Sequence, residues 1–202
     1  MQNRLQNTRG SAPDTALSKQ HIFLIGFMAV GKTTLAAELS SRLNRPRVDT
    51  DELVVQNAGM DIPNIFRHFG EAHFRRLEHS ALAALAKATP SVVSCGGGIV
   101  LLPENVALMR SLGIVVRLTA TAETIWKRSC ESSDRPLLPA STGVERLASI
   151  KTMLAEREEQ YRAAAELAIT TDDRSAGDIC AEILSRCTEL TVQKASSSQL
   201  KA

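Results

Sequence analysis

The residues Gly26-Phe27-Met28-Ala29-Val30-Gly31-Lys32-Thr33 follow the spacing G-x-x-x-x-G-K-[ST]. A polyanion such as a triphosphate needs successive backbone N–H groups curled around it, and glycine lets the chain approach with no Cβ in the way. The helical pattern that follows turns its positive end toward the same point. In such a loop Lys32 reaches the β- and γ-phosphate oxygens and the Thr33 hydroxyl completes a Mg²⁺ shell, while Gly26, Ala29, Val30, Gly31 and Thr34 complete an ATP cradle. Ala29 stands where many such loops carry glycine or serine, which tightens the cradle. A chance glycine turn requires neither a strand before it nor a helix after it, and here both patterns are present.

Asp49-Thr50-Asp51 follows a second short strand pattern. Alternate residues at a strand end face opposite sides, so the two carboxylates can serve two ligands. Asp49 is suited to hold magnesium through water and Asp51 to face an attacking hydroxyl. Asp51 equally suits a helix N-cap, because a helical pattern begins directly after it. Gly96-Gly97-Gly98 ends the buried run Val92–Cys95. One glycine is explained by a turn; three in a row suit bare amides that meet a ring hydroxyl or a travelling phosphoryl group. Val92–Cys95 contains no acidic residue, which leaves the magnesium duty to Asp49.

Further stretches complete an ordered set: Ile62/Ile65/Phe66, Gly70/Glu71/Phe74/Arg75/Glu78, Arg135-Pro136-Leu137-Leu138, and Arg157 with Tyr161. Together with the phosphate loop, the D-x-D pair and the triple glycine, this order resembles the shikimate kinases, a branch of the nucleoside monophosphate kinase-like phosphate-loop (P-loop) enzymes. The resemblance covers most of Phe23 to Gly177. It implies that Arg75 and Arg157 bind a shikimate carboxylate, a task that suits the planar, bidentate guanidinium. Glu78, three residues beyond Arg75, can hold that guanidinium in place. Phe66 and Phe74 would wall the carbon ring, and core packing is the equal alternative for Phe66. The polar stretch 129–143 is implied to be a mobile lid in which Arg135 covers the γ-phosphate, with a solvated surface arginine as the alternative. Arg128 resembles the arginine that packs on adenine, with Lys127 also open, and Arg174 resembles the arginine of the adenine loop. The activity implied is ATP- and Mg²⁺-dependent phosphorylation of shikimate, with Lys32, Asp51 and Arg135 as the catalytic groups. A kinase of gluconate or of a nucleoside monophosphate, and an ATP-binding module without catalysis, are the alternatives.

Strand patterns His21–Gly26, Arg47–Asp49, Val92–Cys95, Ile114–Leu118 and Ala168–Thr170 must position these groups. Helical stripes separate them, at Leu35/Leu39/Leu43, at Phe74/Leu77/Ala81/Leu85, from Pro103, and at Ile179/Ile183/Cys187/Leu190. Strand alternating with helix predicts a three-layer αβα fold on a five-stranded parallel sheet, with ligands beyond the carboxyl ends of the strands. His73 and His79 are expected on the solvent side of their helix, and Trp126 and Tyr161 to pack without reacting.

At 202 residues the chain fits one domain, and 44% apolar with 23% charged residues is an ordinary globular composition. A net charge of +2 makes no strong field for nucleic acid or membrane, and 3% aromatic residues argue against a base-stacking platform. The four cysteines form no C-x-x-C pair and suit a reducing cytosol, so a cytoplasmic protein is expected, with monomer as the default. Residues 1–20 lack the apolar core of a secretory signal and read as a disordered leader, with a short organellar presequence as the alternative. The kinase-like domain is expected over 21–190, and 191–202 as a disordered tail.

Overall fold

The apolar run His21–Ile25 forms strand β1, buried at every position, at the centre of a five-stranded sheet. The computed structural model describes residues 17–131 and 143–199. The sheet order is β2 (Arg47–Asp49), β3 (Val92–Ser94), β1, β4 (Gly113–Thr119), β5 (Leu167–Thr170), and every pairing is parallel. The strand order turns back at β1, where a crevice opens beyond the carboxyl ends.

Side-chain alternation along the strands divides the core in two. Ile22 and Leu24 meet Leu35 and Leu39 of α1 (Lys32–Leu43) and Ile179, Ile183 and Cys187 of α7 (Ala176–Gln199). On the other face, Phe23 and Ile25 meet Leu82 of α3 (Ile62–Ala84), Met109 of α4 (Pro103–Leu112) and Tyr161 and Ala164 of α6 (Gly143–Ala164). The result is the three-layer αβα architecture. Each fully buried large apolar side chain contributes about 1.5–3 kcal/mol. A smaller cluster of Val54, Ile65, Phe74 and Ala81 joins α2 (Thr50–Ala58) to α3 at one flank. α5 (Ala122–Glu131) packs against α6, and its Ala122 and Ile125 join the core cluster of α1 and α7.

Three local features differ from the sequence-based expectation. Gly70, at φ 76° and ψ 174°, kinks α3, so that its first two turns leave the line of the rest. Leu17–Gln20, part of the expected leader, join the fold: Leu17 is buried in the core, and Arg45 donates to the carbonyls of Leu17 and Gln20. At the other end α7 continues as helix to Gln199, through most of the expected tail. Its extension is anchored by buried Thr191 and by the ion pair of Lys194 with Glu166, a long-range contact that no local pattern announces.

His21 carries a pH-dependent contribution. Its buried ring uses Nε2 to reach the Leu85 carbonyl at 3.1 Å and accepts from the Ser91 N–H at Nδ1, 3.0 Å away. That pattern requires the neutral ring, and burial lowers its pKa from the ordinary 6.5. As pH falls below that value the unfolded chain takes up the proton first, so stability is full above it and declines below it. Urea midpoints measured from neutral to mildly acidic pH should fall less steeply in His21→Gln than in the parent; identical slopes would remove His21 from this role.

Candidate active site

The phosphate loop joins β1 to α1. At Gly26, φ is 142° and a Cβ would overlap the Leu118 carbonyl oxygen, so this position admits glycine alone. Gly31, at φ 98°, starts α1, and Ala29 also takes a left-handed conformation at φ 58°, a strain of order 1 kcal/mol. Lys32 is buried, and its ammonium donates to the carbonyls of Gly26 (2.9 Å) and Phe27 (2.8 Å), so it already lies across the loop. The Val30 side chain packs in the core, which leaves its backbone to face a ligand. Thr33 and Thr34 are exposed on the first turn of α1.

The D-x-D segment resolves differently from the expected cap. Asp49 is the N-cap of α2: its Oδ1 accepts the Asp51 N–H at 3.0 Å, and Asp51 lies inside the first turn. Asp51 is thereby released from the capping role. Between them, the hydroxyl of buried Thr50 accepts the Gly96 N–H at 2.8 Å and ties the start of α2 to the triple-glycine turn. Residue types alone did not single out Thr50, whose partner lies 46 positions away.

Gly96 and Gly98 are bare because charged groups crowd against them. A Cβ at Gly96 would stand 2.5 Å from Asp51 Oδ1 and 2.9 Å from Glu78 Oε1. One at Gly98 would stand 2.5 Å from Arg75 Nη2. Arg75 donates to Glu78 Oε2 and to Glu71, each at 2.9 Å, and its guanidinium lies 5.2 Å from the centre of the Phe74 ring. Burial works against the Arg75 charge, but the bonds to Glu71 and Glu78 outweigh it and hold its pKa above the ordinary value. Glu78 is 1% exposed and its Oε1 has no hydrogen-bond partner among the described residues. Burial raises the Glu78 pKa, Arg75 draws it down, and the nearby Asp51 charge raises it again.

Phe66 and Phe74 stack at 4.8 Å between ring centres; Phe74 is buried in the α2–α3 cluster, whereas Phe66 is 38% exposed. The kink at Gly70 brings these two rings from separate helical segments into one wall. On the far side of the turn, the Tyr161 hydroxyl donates to the Gly97 carbonyl at 2.5 Å, and half-buried Arg157 stands one helical turn earlier on α6. Tyr161 packs in the core as expected, and its hydroxyl in addition reaches the glycine turn. The R-x-x-x-Y spacing, which sets both side chains on one helix face, was the available signal. His79 also departs from the solvent-side expectation: its ring bonds Asn105 at 2.7 Å, and Asn105 donates to the Ile99 carbonyl just after the glycine turn.

On the expected adenine side, Arg128 donates to Thr171 through its side chain (3.0 Å) and carbonyl (2.8 Å). Arg174 pairs with Glu182 at 2.6 Å and donates to the Thr170 carbonyl. Both arginines thus flank the turn that follows β5. Arg135 and most of the expected lid lie outside the described residues; Ser129–Glu131 belong to α5 and Gly143 opens α6.

A phosphate loop at the end of a central parallel strand, facing a pocket of fixed arginines and carboxylates, defines a P-loop kinase of small molecules. Residues 28–188 match the family model for shikimate kinase. The chain is 44% identical over 173 residues to the shikimate kinase of Geobacter metallireducens, covering 86% of this chain and 93% of that one. Its fold matches the shikimate kinase of Acinetobacter baumannii, solved in complex with shikimate, with TM-score 0.74 and 32% identity, covering 83% of this chain and 92% of that one. A gluconokinase from Sinorhizobium meliloti shares the fold at TM-score 0.57 and 14% identity, covering 90% of this chain and 98% of that one. The chain belongs to the shikimate kinase family.

Proposed function

We propose that this protein transfers the γ-phosphoryl group of ATP to the 3-hydroxyl of shikimate, giving 3-phosphoshikimate and ADP. The observation that carries this reading is the Gly96–Gly98 turn. It has Asp51 and Glu78 on one side and Arg75 on the other, and a Cβ at Gly97 would stand 3.9 Å from the Gly26 carbonyl of the phosphate loop. An acceptor seated on that turn lies beside the terminal phosphate.

In this mechanism Arg75 and Arg157 hold the acceptor carboxylate, Phe66 and Phe74 wall its ring, and the amides of Gly96–Gly98 meet its hydroxyls. Asp51 orients the reacting hydroxyl and receives its proton. The amides of the loop cradle the phosphates, and Lys32 moves from the loop carbonyls to the β- and γ-oxygens. Arg128 and Arg174 flank the adenine, and Arg135 is assigned to the charge of the transferring group. The exposed Thr33 hydroxyl and the Asp49 carboxylate are hard oxygen donors of the kind Mg²⁺ takes beside substrate phosphates. When bound there, the cation would neutralise charge on the phosphates. The work of the protein is positioning and electrostatics. A near-neutral net charge supports the further reading that nucleic acid and membrane are not partners, and cysteines without a C-x-x-C pair support a cytoplasmic location, with monomer as the default state.

Coupled ADP release with shikimate, gluconate, AMP and CMP tests the assignment. Turnover with shikimate alone is expected. Turnover with gluconate or a nucleotide and none with shikimate would overturn the acceptor, and none with any of the four would favour a binding module.

A further inference from the structure

β2 and β3 run in register as far as Asp49 and Ser94. Beyond that pair both chains leave the sheet: Thr50 opens α2, and Gly96 opens the glycine turn. The Cys95 N–H still reaches the Leu24 carbonyl of β1, at 3.1 Å. The next N–H, that of buried Gly96, turns instead to the Thr50 hydroxyl and donates to it at 2.8 Å. A buried N–H needs an acceptor, and here a side chain takes the place of the ladder. Thr50 is 0% exposed, so water does not compete for the bond. It is also the first residue of α2, where no earlier helical turn offers its hydroxyl a carbonyl.

The bond bears on the residue that follows it. Asp51 is held on one side by its own N–H, which donates to Asp49 Oδ1 at 3.0 Å. On the other side its neighbour Thr50 is fastened to the turn. The Asp51 carboxylate then rests against the bare Cα of Gly96, where a Cβ would stand 2.5 Å from its Oδ1. The same Cβ would stand 2.9 Å from Glu78 Oε1, so two carboxylates crowd one glycine, and their repulsion works to part Asp51 from the turn. A buried hydrogen bond on a β-branched side chain, stiff at χ1, resists that drift. We propose that Thr50 is a positioning residue for phosphoryl transfer: its hydroxyl fixes the glycine turn against the first turn of α2 and so aligns the Asp51 carboxylate with the acceptor hydroxyl. This inference rests on the reading that Asp51 orients that hydroxyl.

The test is steady-state kinetics of the full chain, with thermal unfolding as the check on folding. Thr50→Val keeps the volume and removes the hydroxyl; Thr50→Ser keeps the hydroxyl and removes the methyl. Thr50→Val should lower kcat about 10- to 100-fold, the scale of a misplacement near 1 Å, and leave the ATP KM within about twofold. Thr50→Ser should keep most of the parental kcat. If Thr50→Val does not fold, Thr50→Ala against Thr50→Ser isolates the same hydroxyl, with the same loss expected. Parental kcat in a variant without the hydroxyl, or equal losses in Thr50→Ser and Thr50→Val, would overturn the proposal. So would an ATP KM that rises in step with the fall in kcat, the mark of a merely structural threonine. Asp51→Asn separates this proposal from the reading beneath it. Parental kcat in Asp51→Asn would overturn both. A collapse of kcat in Asp51→Asn beside an unimpaired Thr50→Val would overturn the positioning role alone.

Discussion

Lys32→Met should lower kcat by about three orders of magnitude, the scale seen when a group that stabilises transition-state charge is removed. Methionine matches the length of the lysine stem, so the buried path of the side chain is preserved. What disappears is the ammonium and its bonds to the carbonyls of Gly26 and Phe27. Each lost bond costs about 1 kcal/mol, which lowers the melting temperature of a domain of this size by only a few degrees. Activity and stability are thereby separable. The expected signature is a collapse of turnover in a protein that still unfolds cooperatively near the parent temperature. A variant retaining a tenth of parental kcat would show that the ammonium does not follow charge onto the transferring group.

Arg75→Ala should raise the shikimate KM roughly 100-fold while the ATP KM changes less than about twofold, since truncating one partner of a buried hydrogen-bonded charge pair costs about 2–5 kcal/mol. The asymmetry follows from location: Arg75 borders Gly98, whereas the phosphates are assigned in this mechanism to the Gly26–Thr33 loop. This substitution also carries a stability penalty. Glu78 is 1% exposed and would keep a buried carboxylate without its cation, a loss of about 3–5 kcal/mol unless the acid takes up a proton. Its raised pKa shows that burial and Asp51 already favour that proton. Adding Glu78→Gln to Arg75→Ala should therefore recover much of the melting temperature without recovering the shikimate KM. If the second substitution restored acceptor affinity, Arg75 would be a structural counter-ion and no clamp. An equal loss of affinity for both substrates would remove the arginine from the acceptor site.

The fold was legible because its signals are local. The run His21–Ile25, the i, i+4 stripes of α1 and α7 and the proline at the start of α4 each act within a few residues. Their alternation restricts the sheet to parallel strands. The contribution of the chain's flanks to the core was less legible: Leu17 packs among residues distant in the chain, and Thr191 is buried. Within the site, the phosphate loop was fully legible, being one continuous strand, turn and helix. Asp49 and Asp51 were legible as a pair with separate ligands, but which of them caps α2 was not. Which of them caps α2 depends on where the helix begins, and it begins at Thr50.

The amino-acid sequence by itself determined a phosphate-loop motif, an ordered set of candidate acceptor residues and an αβα framework, because each motif and element is written in spacings shorter than a helix. Only the tertiary structure decided that Asp51, Glu78, Arg75 and Tyr161 meet around one glycine turn. The strand order β2-β3-β1, with Asp49 in register with Ser94, brings the end of β2 against that turn. The packing of α3 and α6 on the same face then sets the depth at which each charged group arrives. A contact across 64 residues, such as that of Tyr161 with Gly97, is fixed by side-chain volumes and sheet order acting together, and no local pattern encodes it.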